Sequence, residues 1–239
     1  SSSLGLSIAR AVKFPSSEEL YSDGVHVATG VFELGDPNLD PEESLGLDLS
    51  YRRSAGPVTG DITVFAQDFD QFIFQRFTGE EDEEGFPIVA FSQTDAEFRG
   101  GEVEATFGLL EERRHHLDLA LFGDYVQAEQ SRSGEDLPRI PPLGYGAGLH
   151  FHSERVHTMV EARHREDQDR LAENETPTAA YTVLNASFSY RFFTGAQVYD
   201  VVVRGRNLTD EEVRDHTSFV KDIVPMPGRD LSVSLRLDF

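Results

Sequence analysis

The chain has 239 residues, a formal net charge of −22, and neither cysteine nor tryptophan. The missing thiols exclude disulfides and thiolate metal or redox centres, and the acidity excludes nucleic acid as a partner by charge repulsion. No run approaches the roughly 18 consecutive apolar residues of a membrane helix.

Period-two alternation, the mark of a strand whose two faces meet different surroundings, recurs from one end to the other. Residues 4–12 carry Leu4, Leu6 and Ile8 on one face, with Arg10 as an awkward charge in the same register. Residues 45–52 set Leu45, Leu47, Leu49 and Tyr51 against Asp48, Ser50 and Arg52. Strands are also expected over 60–76 and 89–109, and over 115–126, where Leu117, Leu119 and Leu121 oppose Asp118 and Asp124. Further strands follow at 141–153 and 156–165. At 182–192, Leu184, Ala186, Phe188, Tyr190 and Phe192 face away from Asn185, Ser187, Ser189 and Arg191. Tyr199, Val201 and Val203 oppose Asp200, Arg204 and Arg206 within 198–206. The last segment, 231–239, alternates Leu231, Val233, Leu235, Leu237 and Phe239 with Ser232, Ser234, Arg236 and Asp238.

Ten strands are thus expected, and their connections alternate in length. Short ones fall near 54–58, 110–114, 153–155 and 193–196, and long ones near 13–44, 77–88, 129–140, 166–177 and 209–228. Outer-membrane barrels have short periplasmic turns and long extracellular loops. With the C-terminal end at the periplasm, all five long connections become extracellular. Several are acidic, as in Glu80-Glu-Asp-Glu-Glu84, Glu166-Asp-Gln-Asp169 and Asp210-Glu-Glu212. The fold class expected is all-β, an antiparallel transmembrane β-barrel segment of about ten strands. A soluble β-barrel or sandwich binding protein is the alternative reading of the same pattern.

Three motifs carry a resemblance. Residues 10–20 read Arg-Ala-Val-Lys-Phe-Pro-Ser-Ser-Glu-Glu-Leu, residues 35–43 read Gly-Asp-Pro-Asn-Leu-Asp-Pro-Glu-Glu, and Asn207-Leu-Thr-Asp210 precedes the last strand. Together with Leu137-Pro-Arg-Ile-Pro-Pro-Leu143, they resemble the C-terminal half of TonB-dependent outer-membrane receptors. Asp23-Gly-Val-His-Val-Ala-Thr-Gly-Val-Phe-Glu33 and Asp215-His-Thr-Ser-Phe-Val-Lys-Asp222 are similar to the zinc-uptake subgroup. The resemblance implies the last ten strands of a 22-stranded barrel in a bacterial outer membrane. It also implies outer-membrane lipid around the wall, a plug domain within it, and import driven by the TonB complex. Neither a plug nor a TonB box is expected within these 239 residues, so the chain reads as part of a larger receptor. No cofactor is required and zinc is a candidate cargo; siderophore, haem and cobalamin are the alternatives within transport.

Candidate binding residues are Asp23, His26, Glu33, Asp215 and His216, all on long connections, where imidazole and carboxylate together suit zinc. His26 and His216 are the metal ligands expected first. A weaker alternative is His150, His152 and His157, which a tight turn at Glu154-Arg155 would set on one face of neighbouring strands, His152 opposite His157. Gly144, Gly146 and Gly148 alternate on that same face; with no helix following they are no phosphate loop, and a close approach, expected from the plug wall, explains them better. No enzymatic activity is expected. The enzymatic alternative is a ten-stranded outer-membrane protease in which Asp210, Asp215 and His216 activate water at the rim.

Overall fold

The structure is a computed structural model that describes residues 1–195 and 197–238. Ten strands form one continuous antiparallel path: β1 (Ser2–Lys13), β4 (Glu42–Arg53), β5 (Val58–Glu81), β6 (Pro87–Glu112), β7 (His115–Gln130), β8 (Gly144–Ser153), β9 (Val156–Arg165), β10 (Tyr181–Thr194), β11 (Gln197–Arg206) and β12 (Asp230–Asp238). Each expected strand is present, most of them longer than the alternation alone marks out. The aromatic expected at the end of the last strand, Phe239, lies outside the described residues.

Register explains the faces. Leu4, Leu6 and Ile8 stand opposite Tyr51, Leu49 and Leu47, and Leu49 stands opposite Val64. Val201 stands between Tyr190 and Leu235, and Val203 between Phe188 and Val233. One face of the sheet is therefore apolar from first strand to last, and it is uncovered: Leu4 is 74% exposed, Ile8 70% and Val233 74%. Arg10 does share this face. It stands opposite Leu45 and pairs with Glu43, where outward Asp68, Asp70, Glu97 and Arg99 end the apolar band.

The opposite face is polar, with charges paired along and across strands. Arg165 meets Asp124, Arg163 meets Glu161, and Arg191 chelates Asp200 at 2.8 and 3.0 Å. The three alternating glycines lie here, beneath side chains of the same wall: Arg165 over Gly144, the Phe122 ring over Gly146, and His150 over Gly148. Within the chain, these side chains are the close neighbours at the three glycines.

The connection between β5 and β6 differs from expectation. Residues 77–88 are not a long loop; both strands run on and close in a five-residue turn, 82–86, with Asp82 Oδ1 accepting from the amides of Glu84 and Phe86. A β-bulge places Asp70 and Gln71 against one partner position, with Gln71 at φ 59°. The bulge resets the alternation, so that Phe72 and Phe74 continue the face of Phe69 and Phe98. Rings of Phe69, Phe72 and Phe98 meet edge-on at 5.0–5.2 Å over a core of Ala96, Ala128 and Leu137.

The 14–41 connection packs on the other side of this hairpin. It contains a short helix α1 (Ser17–Tyr21) and two four-residue strands, β2 (Asp23–His26) and β3 (Val31–Leu34). The Pro-Ser-Ser-Glu-Glu motif is a capping box: Ser16 Oγ accepts the Glu19 amide and Glu19 accepts the Ser16 amide. Gly35 is required because its backbone abuts the end of α1, where a Cβ would strike the Tyr21 and Leu20 backbone. β3 pairs in parallel with the upper part of β6, and Val31, Ile73 and Val89 are buried between them.

Candidate functional site

Four long connections and the 82–86 turn emerge at one end of the sheet, and three of the long ones are tied into a clasp. Its centre is Glu175, on the 166–180 connection. Glu175 Oε1 accepts the Arg139 amide at 2.8 Å and lies 3.1 Å from His216 Nε2, while Oε2 accepts the Ala172 amide at 3.1 Å. His216 Nδ1 meets Thr178 Oγ1 at 3.0 Å. Burial pushes the Glu175 carboxyl up, but the His216 imidazole and the two backbone N–H groups outweigh it and hold the group below its usual range. Lys221 donates to the Thr176 carbonyl, and burial lowers its ammonium despite Glu175 and Asp222 nearby. Thr176 Oγ1 reaches Asp222 at 2.7 Å, and Asn174 Nδ2 donates to the Phe77 carbonyl on β5 at 3.2 Å.

Beside the clasp is a cavity of about 240 Å³ walled by Phe77, Ile88, Phe219, Arg139, Lys221 and Asp222. The Arg139 guanidinium lies 3.8 Å above the Phe219 ring, and its Nη1 is buried with no hydrogen-bond partner among the described residues. Glu80, Glu81 and Glu175 also line this cleft, so its carboxylates outnumber its two cations, and Arg139 is the group in it with donor capacity to spare for a polar ligand.

The residues expected to bind cargo fall into separate groups. His26 and Glu33 are brought together across the β2–β3 hairpin, Nδ1 to Oε1 at 3.1 Å, and Gln75 donates to the same oxygen at 3.3 Å. The His26 side chain is 47% exposed, so one ring edge stays open to a ligand. Asp23 is on the same hairpin, opposite Leu34. His216 belongs to the clasp and is 2% exposed, and Asp215 Oδ1 accepts from the Thr217 amide and hydroxyl in its own turn. His26 and His216 thus take different partners. Among the described residues no three His, Asp or Glu side chains converge as a metal cage.

The protease constellation is not assembled. Asp210 Oδ1 accepts the Arg229 amide at 2.9 Å, His216 is shut away from water, and Asp215 caps a turn. The Asn-Leu-Thr-Asp motif has a mechanical task instead. Asn207 Oδ1 accepts the Glu211 amide, its Nδ2 donates to the Glu211 carbonyl, and Asp210 ties the return to β12 through Arg229.

Of the second histidine group, His152 stands opposite His157 while His150 faces Met159, and His116, which sequence reasoning missed, adjoins His152. His116, His152 and His157 are direct neighbours on β7, β8 and β9. Their rings stack at 4.6 and 6.1 Å, nearly parallel. Alternation with Asp118 had already put His116 on the polar face. Glu175, Thr178, Arg139 and Lys221 left no comparable signal, being spread over connections with no period.

The comparisons accord with this architecture. Residues 2–208 match the family model described as TonB dependent receptor-like, β-barrel. Among solved structures, the copper transporter OprC superposes with a TM-score of 0.80 at 20% identity, over 98% of this chain and 36% of that one. The siderophore receptor PirA from Acinetobacter baumannii gives 0.69 at 17%, over 98% and 38%. A mutant of the ferric enterobactin receptor PfeA from Pseudomonas aeruginosa gives 0.68 at 18%, again over 98% and 38%. The chain therefore spans under two-fifths of the length of these structures, and identities this low speak for the fold alone. With the family match extending over 2–208 and the strand order running without a break, the chain belongs to the TonB-dependent receptor β-barrel family.

Proposed function

We propose that this chain is part of the wall of an outer-membrane receptor that captures a metal nutrient at its extracellular end for TonB-driven import. The observation that carries this reading is the two-solvent sheet: an uncovered apolar face across all ten strands, a charged opposite face, and every long connection at one end. In this reading lipid meets the first face and a plug-filled lumen the second. The receptor binds and passes its cargo without breaking a bond in it.

Zinc is the first cargo proposed. Support comes from the acidic connections, which focus a negative potential over the mouth, and from the half-open His26–Glu33 pair. A chelated metal such as a siderophore complex is the second reading, favoured by one observation, the unpartnered Arg139 Nη1 beside the Phe219-walled cavity. Calorimetry on the full-length receptor in detergent separates the two. Saturable zinc binding that weakens in His26→Ala supports the first. No zinc binding, with a ferric chelate bound tightly and weakened by Arg139→Ala, sinks the first and supports the second.

A further inference from the structure

The far end of the polar face, where the short turns lie, carries four histidines that the reading above does not use. Each member of the row His116, His152 and His157 stands one strand from the next and one residue from a turn-proximal strand end. Direct cross-strand neighbours have Cα atoms about 4.5–5.5 Å apart, within reach of a shared cation. Glu111 on β6 is the next neighbour in this row, opposite His116. A second row lies one step along the strands: Asp118 faces His150, and His150 faces Met159.

His150 Nε2 is buried and has no hydrogen-bond partner among the described residues, and it lies over Gly148, where any Cβ would crowd it. It lines a cavity of about 350 Å³ together with His152, His157, Met159, Ser189 and Arg204. An enclosed nitrogen without a partner costs free energy unless something occupies the cavity beside it. None of these four imidazoles has a carboxylate within ion-pair distance among the described residues. Arg204, which would repel a cation, is on β11, two strands beyond β9, so the favourable ground is over β7–β9.

We propose that this histidine row is a metal station in the lumen, binding borderline d-block divalent cations such as Cu²⁺ and Zn²⁺ through pairs of facing imidazoles. The rings are stacked, with their in-plane nitrogen lone pairs side by side and not aimed at one point, so a neighbouring pair shares a cation only after its side chains rotate, and the remaining positions are left to water. Open coordination makes binding weak and exchange fast, which suits passage. The proposal deepens the metal-nutrient reading and rests on it for its purpose, though the site's chemistry stands without it.

The test uses the full-length receptor in detergent with Cu²⁺ as probe, because Cu²⁺ binds imidazole strongly among these cations and reports nitrogen ligands by electron paramagnetic resonance. Wild type should show imidazole-coupled Cu²⁺ that Zn²⁺ displaces. His152→Ala and His152→Asn, both on an exposed strand surface, should each lose that signal or bind Cu²⁺ at least about tenfold more weakly. His26→Ala should retain it. Retention of the signal in both His152 variants, or its absence from wild type, overturns the station. Loss of zinc capture in His26→Ala alone speaks to the mouth of the receptor, so the two readings fail separately.

Discussion

Glu175→Gln should loosen the clasp that joins three connections. The carboxylate offers an acceptor on each oxygen: Oε1 serves Arg139 N–H and faces His216 Nε2, and Oε2 serves Ala172 N–H. An amide has one oxygen, so whichever way Gln is turned, one donor meets an NH₂ group. Bonds to a charged acceptor contribute about 1.5–3 kcal/mol and neutral ones about 0.5–1.5, so the surviving bonds weaken by roughly 1 kcal/mol each. The donor left facing nitrogen adds about 1–2 kcal/mol. The sum, about 2–4 kcal/mol, corresponds to amide exchange at Arg139 and Ala172 faster by roughly 30- to 1,000-fold. Hydrogen exchange on the full-length receptor, read at those two amides, gives the answer. Acceleration of less than about threefold at both would refute the reasoning, since it would place the stability of these connections elsewhere.

Three further outcomes follow from the same geometry. Because the Glu175 carboxyl is held below its ordinary value of 4.5, its contribution is fully present above that pH and is lost as pH falls through the lowered value; proteolysis of the 166–180 connection should accelerate over that window and not between neutrality and 4.5. Leu137→Ala removes a side chain 1% exposed against Ala96, Ala128 and the Phe69–Phe72–Phe98 rings; it should cost about 2–5 kcal/mol, measured as faster exchange at the Leu137 amide, which donates to Ala128. Leu6→Arg, on the uncovered apolar face, should cost about 2–4 kcal/mol in folding into bilayers if that level is near the midplane, and an unchanged folding equilibrium would remove lipid from that face.

Strand order and orientation were legible because a sheet between two solvents writes its alternation into every strand. Leu45 to Tyr51 and Leu231 to Leu237 need no partner to be read. The same rule failed at the end of the β5–β6 hairpin, where Thr78-Gly-Glu-Glu-Asp-Glu-Glu-Gly85 has no apolar period to mark the strands that run on through it. β2 and β3 were missed because four residues hold too few periods, and their sheet is completed by β6, far along the chain. Among the site residues, His26 and Glu33 sit seven apart on one hairpin, close enough for the pairing to be local. The burial of His216 depends on Thr178 and Glu175, about forty residues earlier, and contacts at that range leave no mark on either segment.

The parallel pairing of β3 with β6 constrains how the molecule assembles. β7 ends at Gln130, opposite Ala96, so the edge of β6 above that level has no sequential neighbour, and Phe32–Leu34 takes it against Ile88–Ala90. A parallel partner cannot arrive by a simple hairpin, and this one must wait until β5 and β6 have been made and paired. The pairing of Phe32–Leu34 therefore forms only after β6, which follows it in the chain, has been made. Until it does, the top of β6 is an unpaired ladder of amides and carbonyls, open to a strand from another molecule. The docking of four residues thus closes the interval in which a half-built receptor is most prone to associate with its neighbours.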